Sequence, residues 1–117
     1  MAPSQIAPPA AFGYPVRVQP HHTDYGGVVW HGTYISWMET ARIECLRSHN
    51  MDFANWVSCG VDLPVVDLSL QYHQPLRLGD EAVVIAWLQP RRGIRLVWQY
   101  QIQNRATQAT CVTGVIT

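Results

Sequence analysis

The stretch HHTDYGGVVWHGTYISWMETARIEC, residues 21–45, gathers the groups of this chain that could do chemistry. One carboxylate, Asp24, stands before the pair Gly26-Gly27 and ahead of His31, with His21 and His22 in front of it. Val28, Val29 and Trp30 follow the glycines directly, so the acid sits in apolar company. From Thr33 the pattern turns helical. The first N–H groups of a helix are unpaired and carry partial positive charge. They can polarise a carbonyl, and they favour an ionised carboxylate nearby. A polarised carbonyl beside a carboxylate is the minimum equipment for hydrolysing an acyl group. The plainer reading of Asp24 is a turn residue, because Asp before Gly-Gly commonly accepts main-chain N–H bonds and does nothing else.

By residue type, His21, His22, Asp24 and His31 could also be a metal set. Adjacent residues 21 and 22 point apart in an extended chain, however, and no supporting ligand pattern accompanies them. No metal and no bound cofactor are expected. Cys45, Cys59 and Cys111 match no zinc spacing and are expected as reduced core or interface residues of a cytosolic protein.

The elements that must position these groups fit one domain. The chain has 117 residues, 48% of them apolar, enough for a single core. Eight acidic and eight basic residues balance, and every basic residue is Arg. That balance argues against nucleic-acid and polybasic membrane partners. The longest apolar run, Ala82–Leu88, is too short to span a bilayer, and the first 13 residues lack a signal-peptide pattern. A cytoplasmic location is expected.

Residues 1–13 read as a flexible N-terminal Pro/Ala arm and 14–117 as the folded domain. A strand is expected over 14–19, with Val16 and Val18 on one face. A helix follows from Thr33, its expected N-cap, to about residues 48–50. Tyr34, Met38, Ala41 and Cys45 mark the buried side, and Glu39, Arg42 and Arg47 the other. Four strands then follow in antiparallel hairpin order: 63–76, a strand through Leu88, 94–103, and a last one to Thr117. Val66, Leu68, Leu70 and Tyr72 share one face of the first, and Asp67 on the other face reads as exposed or paired. Gly79-Asp80, PRRG at 90–93 and NRAT at 104–107 mark the turns. The class is α+β, one long helix on an antiparallel sheet of about five strands.

Two segments resemble the hotdog-fold thioesterases of the 4-hydroxybenzoyl-CoA thioesterase family. The first is Asp24, Tyr25, Gly26-Gly27, Val28-Val29, Trp30, His31 and Tyr34, continued by ETARIECLR. The second is LPVVDLSLQYHQPLRLGDEAVV, from Leu63 to Val84. The resemblance implies acyl-CoA thioester hydrolysis. Asp24 would be nucleophile or general base, and the His31 main-chain N–H would bind the thioester oxygen. Trp30, Tyr34 and Tyr25 would line the acyl pocket, and Arg91-Arg92 would meet the coenzyme A phosphates, against the simpler reading of solvated turn residues. It also implies a homodimer with joined sheets, paired further into a homotetramer, and a site shared between protomers. The five Trp and five Tyr are expected mostly in the core, with Trp87 and Trp98 as candidates for the interface.

This chain departs from the pattern at His22, where many relatives have an acid, and at Tyr25, often a small residue. His31-Gly32 is also compatible with a second hotdog branch in which a helix Glu is the acid. Glu39 would be that residue, against the simpler reading of a salt bridge to Arg42. A non-catalytic acyl-CoA-binding module and a hotdog dehydratase are the other functions compatible with the fold.

Overall fold

A computed structural model of the chain describes residues 11–48, 65, 67–89 and 97–117. Its elements are β1 (Phe12–Arg17), a 3-10 turn (Pro20–His22), α1 (His31–Ser48), β2 (Leu68–Tyr72), β3 (Glu81–Leu88), β4 (Trp98–Asn104) and β5 (Thr110–Ile116). One helix packs on one face of a five-stranded antiparallel sheet, the hotdog architecture expected.

The strand order is β1-β3-β4-β5-β2. β3, β4 and β5 form the expected meander. β2 does not join them as a hairpin: it pairs with β5 at the far edge, Leu70 opposite Gly114, while β1 takes the other side of β3. An alternating pattern identifies a strand and its faces but not its neighbour, so hairpin order was the wrong inference for β2. Strand β1 begins at Phe12, two residues before the expected start.

The sheet makes room for the helix with small residues. One row runs Phe12, Ala86, Tyr100, Gly114, Leu70 across all five strands. Met38 of α1 sits over Gly114, where a Cβ would come within 2.6 Å of its Cε and 2.9 Å of Leu70 Cδ2. Tyr34, Trp37, Met38, Ala41 and Cys45 are buried beneath the helix, as their three- and four-residue spacing requires. Ala82, Val84, Ala86, Ile102, Val112 and Ile116 face them from the sheet.

Three expectations need correction. Helix α1 starts at His31, and Thr33 lies inside its first turn instead of capping it. Arg42 is not on the solvent side: its side chain is 11% exposed and lies against the sheet near Tyr100. Trp98 is core, 5% exposed and stacked on Tyr100 at 6.5 Å, because its alternation phase points it toward α1. Trp87, of opposite phase on β3, is half-buried on the sheet's other face. Cys45 and Cys111 are buried, as expected, whereas Cys59, Val66 and Arg91-Arg92 lie outside the described residues. No helix among the described residues is long and apolar enough to cross a membrane.

Candidate active site

The loop from Thr23 to Val29 is a small hairpin. Thr23 and Val29 are bridged, and the Asp24 N–H donates to the Val28 carbonyl at 2.9 Å. The Gly27 N–H closes the turn onto the Asp24 carbonyl at 3.1 Å, and Gly27 adopts φ +75°, which an L side chain resists. This explains the glycine pair after the acid.

The hairpin is pinned on its outer side. Val29 N–H donates to Leu76 O at 2.9 Å, and Leu78 N–H to Gly27 O at 3.0 Å. Residues 77–80 are themselves a tight turn, Asp80 N–H to Arg77 O at 3.0 Å and Arg77 N–H to Asp80 Oδ2 at 2.9 Å. That turn is tied to the end of β1 through two bonds between Val18 and the Gly79-Asp80 pair. The second recognised segment thus braces the first, and the two motifs form one local structure.

The carboxylate of Asp24 is exposed. Its Oδ1 accepts the Gly26 N–H at 2.8 Å and, at 3.4 Å, the Val28 N–H. These bonds are the turn function. They orient the side chain and leave Oδ2 without a partner among the described residues.

On the inner side the loop meets the start of α1. The His22 carbonyl accepts the Trp30 N–H at 3.3 Å and the Thr33 hydroxyl at 3.1 Å, and the Thr33 N–H donates to the Trp30 carbonyl at 3.0 Å. The N–H groups of His31 and Gly32, in the first turn, have no intrahelical acceptor. Trp30 is 47% exposed, with its ring 5.2 Å from that of His31. Tyr34 is buried one turn further on, between Trp37 and Tyr72, ring centroids 5.8 Å from each. Its Oη accepts the Leu76 N–H at 3.4 Å, and burial pushes its phenol pKa up.

The structure therefore brings Asp24, Trp30, His31 and Tyr34 to one loop and one helix turn. Tyr25 projects fully into solvent from the hairpin tip. Glu39 is engaged by Arg42 at 2.7 Å, the salt-bridge reading. Asp67 is exposed at the β2 edge, its main chain paired with Thr117. Among the described residues no three His, Cys, Asp or Glu side chains converge as metal ligands. Two neighbours of these groups were missed in the sequence: Trp37, nearly perpendicular to the rings of both His22 and Tyr34, and Thr33 as a tether of the loop. Trp37 was detectable, being three residues from Tyr34 on the same helix face.

The model of the thioesterase superfamily matches residues 26–111. Over 102 residues the chain is 61% identical to sll0410 of Synechocystis sp., a proposed esterase, covering 87% of this chain and 61% of that one. It is 36% identical over 93 residues to the acyl-CoA thioester hydrolase YbgC of Escherichia coli, covering 80% of this chain and 69% of that one. The solved structure of Slr0204, a 1,4-dihydroxy-2-naphthoyl-CoA thioesterase from Synechocystis, superposes with a TM-score of 0.84. It covers 92% of this chain and 79% of that one at 23% identity, a likeness of fold. The chain spans less than two thirds of the length of sll0410. Through the family match and these relatives, the chain belongs to the thioesterase superfamily.

Proposed function

We propose that this chain hydrolyses an acyl-CoA thioester at the hairpin–helix junction. The thioester oxygen is held by the His31 N–H at the positive end of α1, where charge develops as the carbonyl is attacked. Asp24 acts in one of two ways. As nucleophile it forms a mixed anhydride and expels the coenzyme A thiolate, and water then cleaves the anhydride. As general base it takes a proton from the water that attacks the carbonyl. Either route ends in a free carboxylic acid and free thiol, without a metal or bound cofactor. The observation that supports this best is the Asp24 Oδ2, without a partner among the described residues, on a turn tied to the helix start through the His22 carbonyl. YbgC, named an acyl-CoA thioester hydrolase, supports the substrate class.

Trp30, Tyr34 and Tyr25 are the proposed acyl contacts, and Arg91 and Arg92 the proposed contacts to the coenzyme A phosphates. We place the protein in a homodimer joined through the β2 edge, paired into a tetramer. Leu68 and Tyr72, both large, apolar and exposed on β2, support a partner along this edge.

One observation favours a second reading. The 2.8 Å bond from the Gly26 N–H shows Asp24 serving as a turn residue, as an acyl-CoA-binding module would need and no more. Asp24→Asn separates the two, because the amide oxygen can still accept the Gly26 N–H. Thiol release across an acyl-CoA panel should fall by on the order of 10²–10⁴-fold with acyl-CoA affinity near wild type. If the Asn protein turns over like the wild type, the carboxylate mechanism is wrong.

A further inference from the structure

His22 has no role in the chemistry above, yet the scaffold of the site passes through it. It closes the 3-10 turn Pro20–His22 from both sides: its N–H donates to the Gln19 carbonyl at 2.9 Å, and its Nδ1 accepts the Gln19 N–H at 2.9 Å. The next residue continues the lock, Thr23 N–H and Oγ1 both donating to the Pro20 carbonyl at 3.2 and 2.8 Å. The His22 carbonyl, in turn, holds Trp30 and Thr33 at the start of α1. One residue therefore joins the end of the β1 segment, the hairpin that bears Asp24 and the helix turn that bears the His31 N–H.

A ring nitrogen that accepts a hydrogen bond cannot also bear a proton. The Gln19 bond fixes His22 as the neutral tautomer with its proton on Nε2. A proton on Nδ1 would set two N–H donors against each other, and the turn would have to open. Among the described residues no carboxylate acts on this ring. Within its own turn it is tilted against His21, ring centroids 4.1 Å apart, the one titratable neighbour among the described residues that acts on it. From α1 it meets the ring of Trp37, nearly perpendicular to it with centroids 5.1 Å apart, and the Thr33 hydroxyl bonded to its carbonyl, neither of which carries charge. Burial first, and His21 second, push the His22 pKa below its ordinary 6.5.

We infer that His22 is a positioning residue: its neutral ring holds the turn that sets Asp24 against the start of α1, and protonation of that ring opens the turn and suppresses hydrolysis. The inference rests on the carboxylate reading of Asp24. It gives a physical role to a His whose ring is a hydrogen-bond acceptor at neutral pH and loses that capacity in mildly acidic solution.

The test compares pH profiles of kcat/KM for wild type, His22→Asn and His22→Leu, by thiol release from acetyl-, butyryl- and benzoyl-CoA. Asn places Oδ1 where Nδ1 stood, accepts the Gln19 N–H and does not titrate. Leu fills the space and accepts nothing. The wild-type acid limb should have its midpoint at the His22 titration read from the imidazole ¹⁵N resonances of the same protein. His22→Asn should stay within about threefold of wild type at pH 8 and lose that limb. His22→Leu should fall roughly tenfold or more at every pH, in kcat more than in KM, as expected when a reacting group is misplaced. A limb unchanged in His22→Asn, or a Leu variant as active as wild type, overturns the inference and leaves the Asp24 mechanism standing. The Gln19 amide resonance keeps the two apart. If Asp24→Asn proves fully active, the carboxylate mechanism falls. The clamp is then decided by whether that amide moves through the His22 titration in wild type and holds still in His22→Asn.

Discussion

The indole of Trp30 lies directly on Gly32, so closely that a Cβ at position 32 would overlap the far edge of the ring. The helix start and the aromatic wall of the candidate site therefore depend on one missing methyl group. Trp30 is half exposed and can swing away, so Gly32→Ala should not prevent folding. Ala is also the better helix former by about 1 kcal/mol. We expect a melting temperature at or above that of wild type together with a several-fold change in KM for acyl-CoA. In a Trp30→Ala background the same Gly32→Ala change should leave KM where it is, since the two residues act as one unit. A KM effect that persists without the indole would show that Gly32 matters for another reason.

Tyr100 offers a test of the core. Its hydroxyl is buried and has no hydrogen-bond partner among the described residues. Burial pushes its pKa well above the ordinary phenol value, with the Arg42 guanidinium opposing that shift. An unsatisfied buried hydroxyl costs about 1–3 kcal/mol of desolvation. Tyr100→Phe should therefore leave stability unchanged or raise it, by a few degrees in thermal melts. A clear loss of stability would mean that the hydroxyl has a partner, such as a buried water bridging to the Arg42 Nε.

The parts of this fold that were legible in the sequence are those set by local spacing. Tyr34, Met38, Ala41 and Cys45 recur at helical steps, and Ala82, Val84 and Ala86 alternate, so α1 and β3 were readable. The helix start was not. Gly32 is a poor helix former, and His31 enters the helix because the His22 carbonyl, eight residues away, fixes Trp30 in front of it. The partner of β2 was not legible either, because alternation is blind to strand order. Arg42 misled for a related reason: its charge reads as exposed, yet its long stem lies along the sheet while its head holds Glu39. That residues 24, 30, 31 and 34 lie on one loop and helix start was legible as a motif. Their bracing by Arg77–Asp80 was legible only as a second motif, not as a contact.

Stability should fall on mild acidification, with His22 as one cause. Its folded-state pKa lies below the unfolded 6.5, so the unfolded chain binds the extra proton first as pH falls. Its contribution is complete above 6.5 and is lost as pH falls from there through the folded value. Melting temperatures between pH 8 and pH 5 should decline less steeply in His22→Asn than in wild type. Equal slopes would assign the decline to other groups.

The last prediction concerns the free edge of β2. This strand pairs with β5 on one side, and no described residue pairs with its other side. Asp67 and Thr117 exchange both main-chain bonds, at 3.4 and 3.0 Å. In an antiparallel ladder such pairs alternate, so Ser69 and Gln71 also bond to β5, while Leu68, Leu70 and Tyr72 turn their N–H and C=O groups outward. A second copy of β2 added there would continue the sheet, as the proposed dimer requires. Proline tests this with little damage to the monomer. Leu68→Pro removes an outward N–H, its φ suits an edge strand, and the preceding Asp67 is already extended. Leu68 is 39% exposed, so little packing is lost. Ser69→Pro, one residue on, instead breaks a bond to β5 and should lower the melting temperature more. Sedimentation should show Leu68→Pro as a folded monomer at concentrations where the wild type is dimeric. If the partner completes the acyl pocket, that monomer should also release thiol at least tenfold more slowly. A Leu68→Pro protein that stays dimeric would place the seam elsewhere, and a folded monomer with full activity would mean that each chain builds its whole site alone.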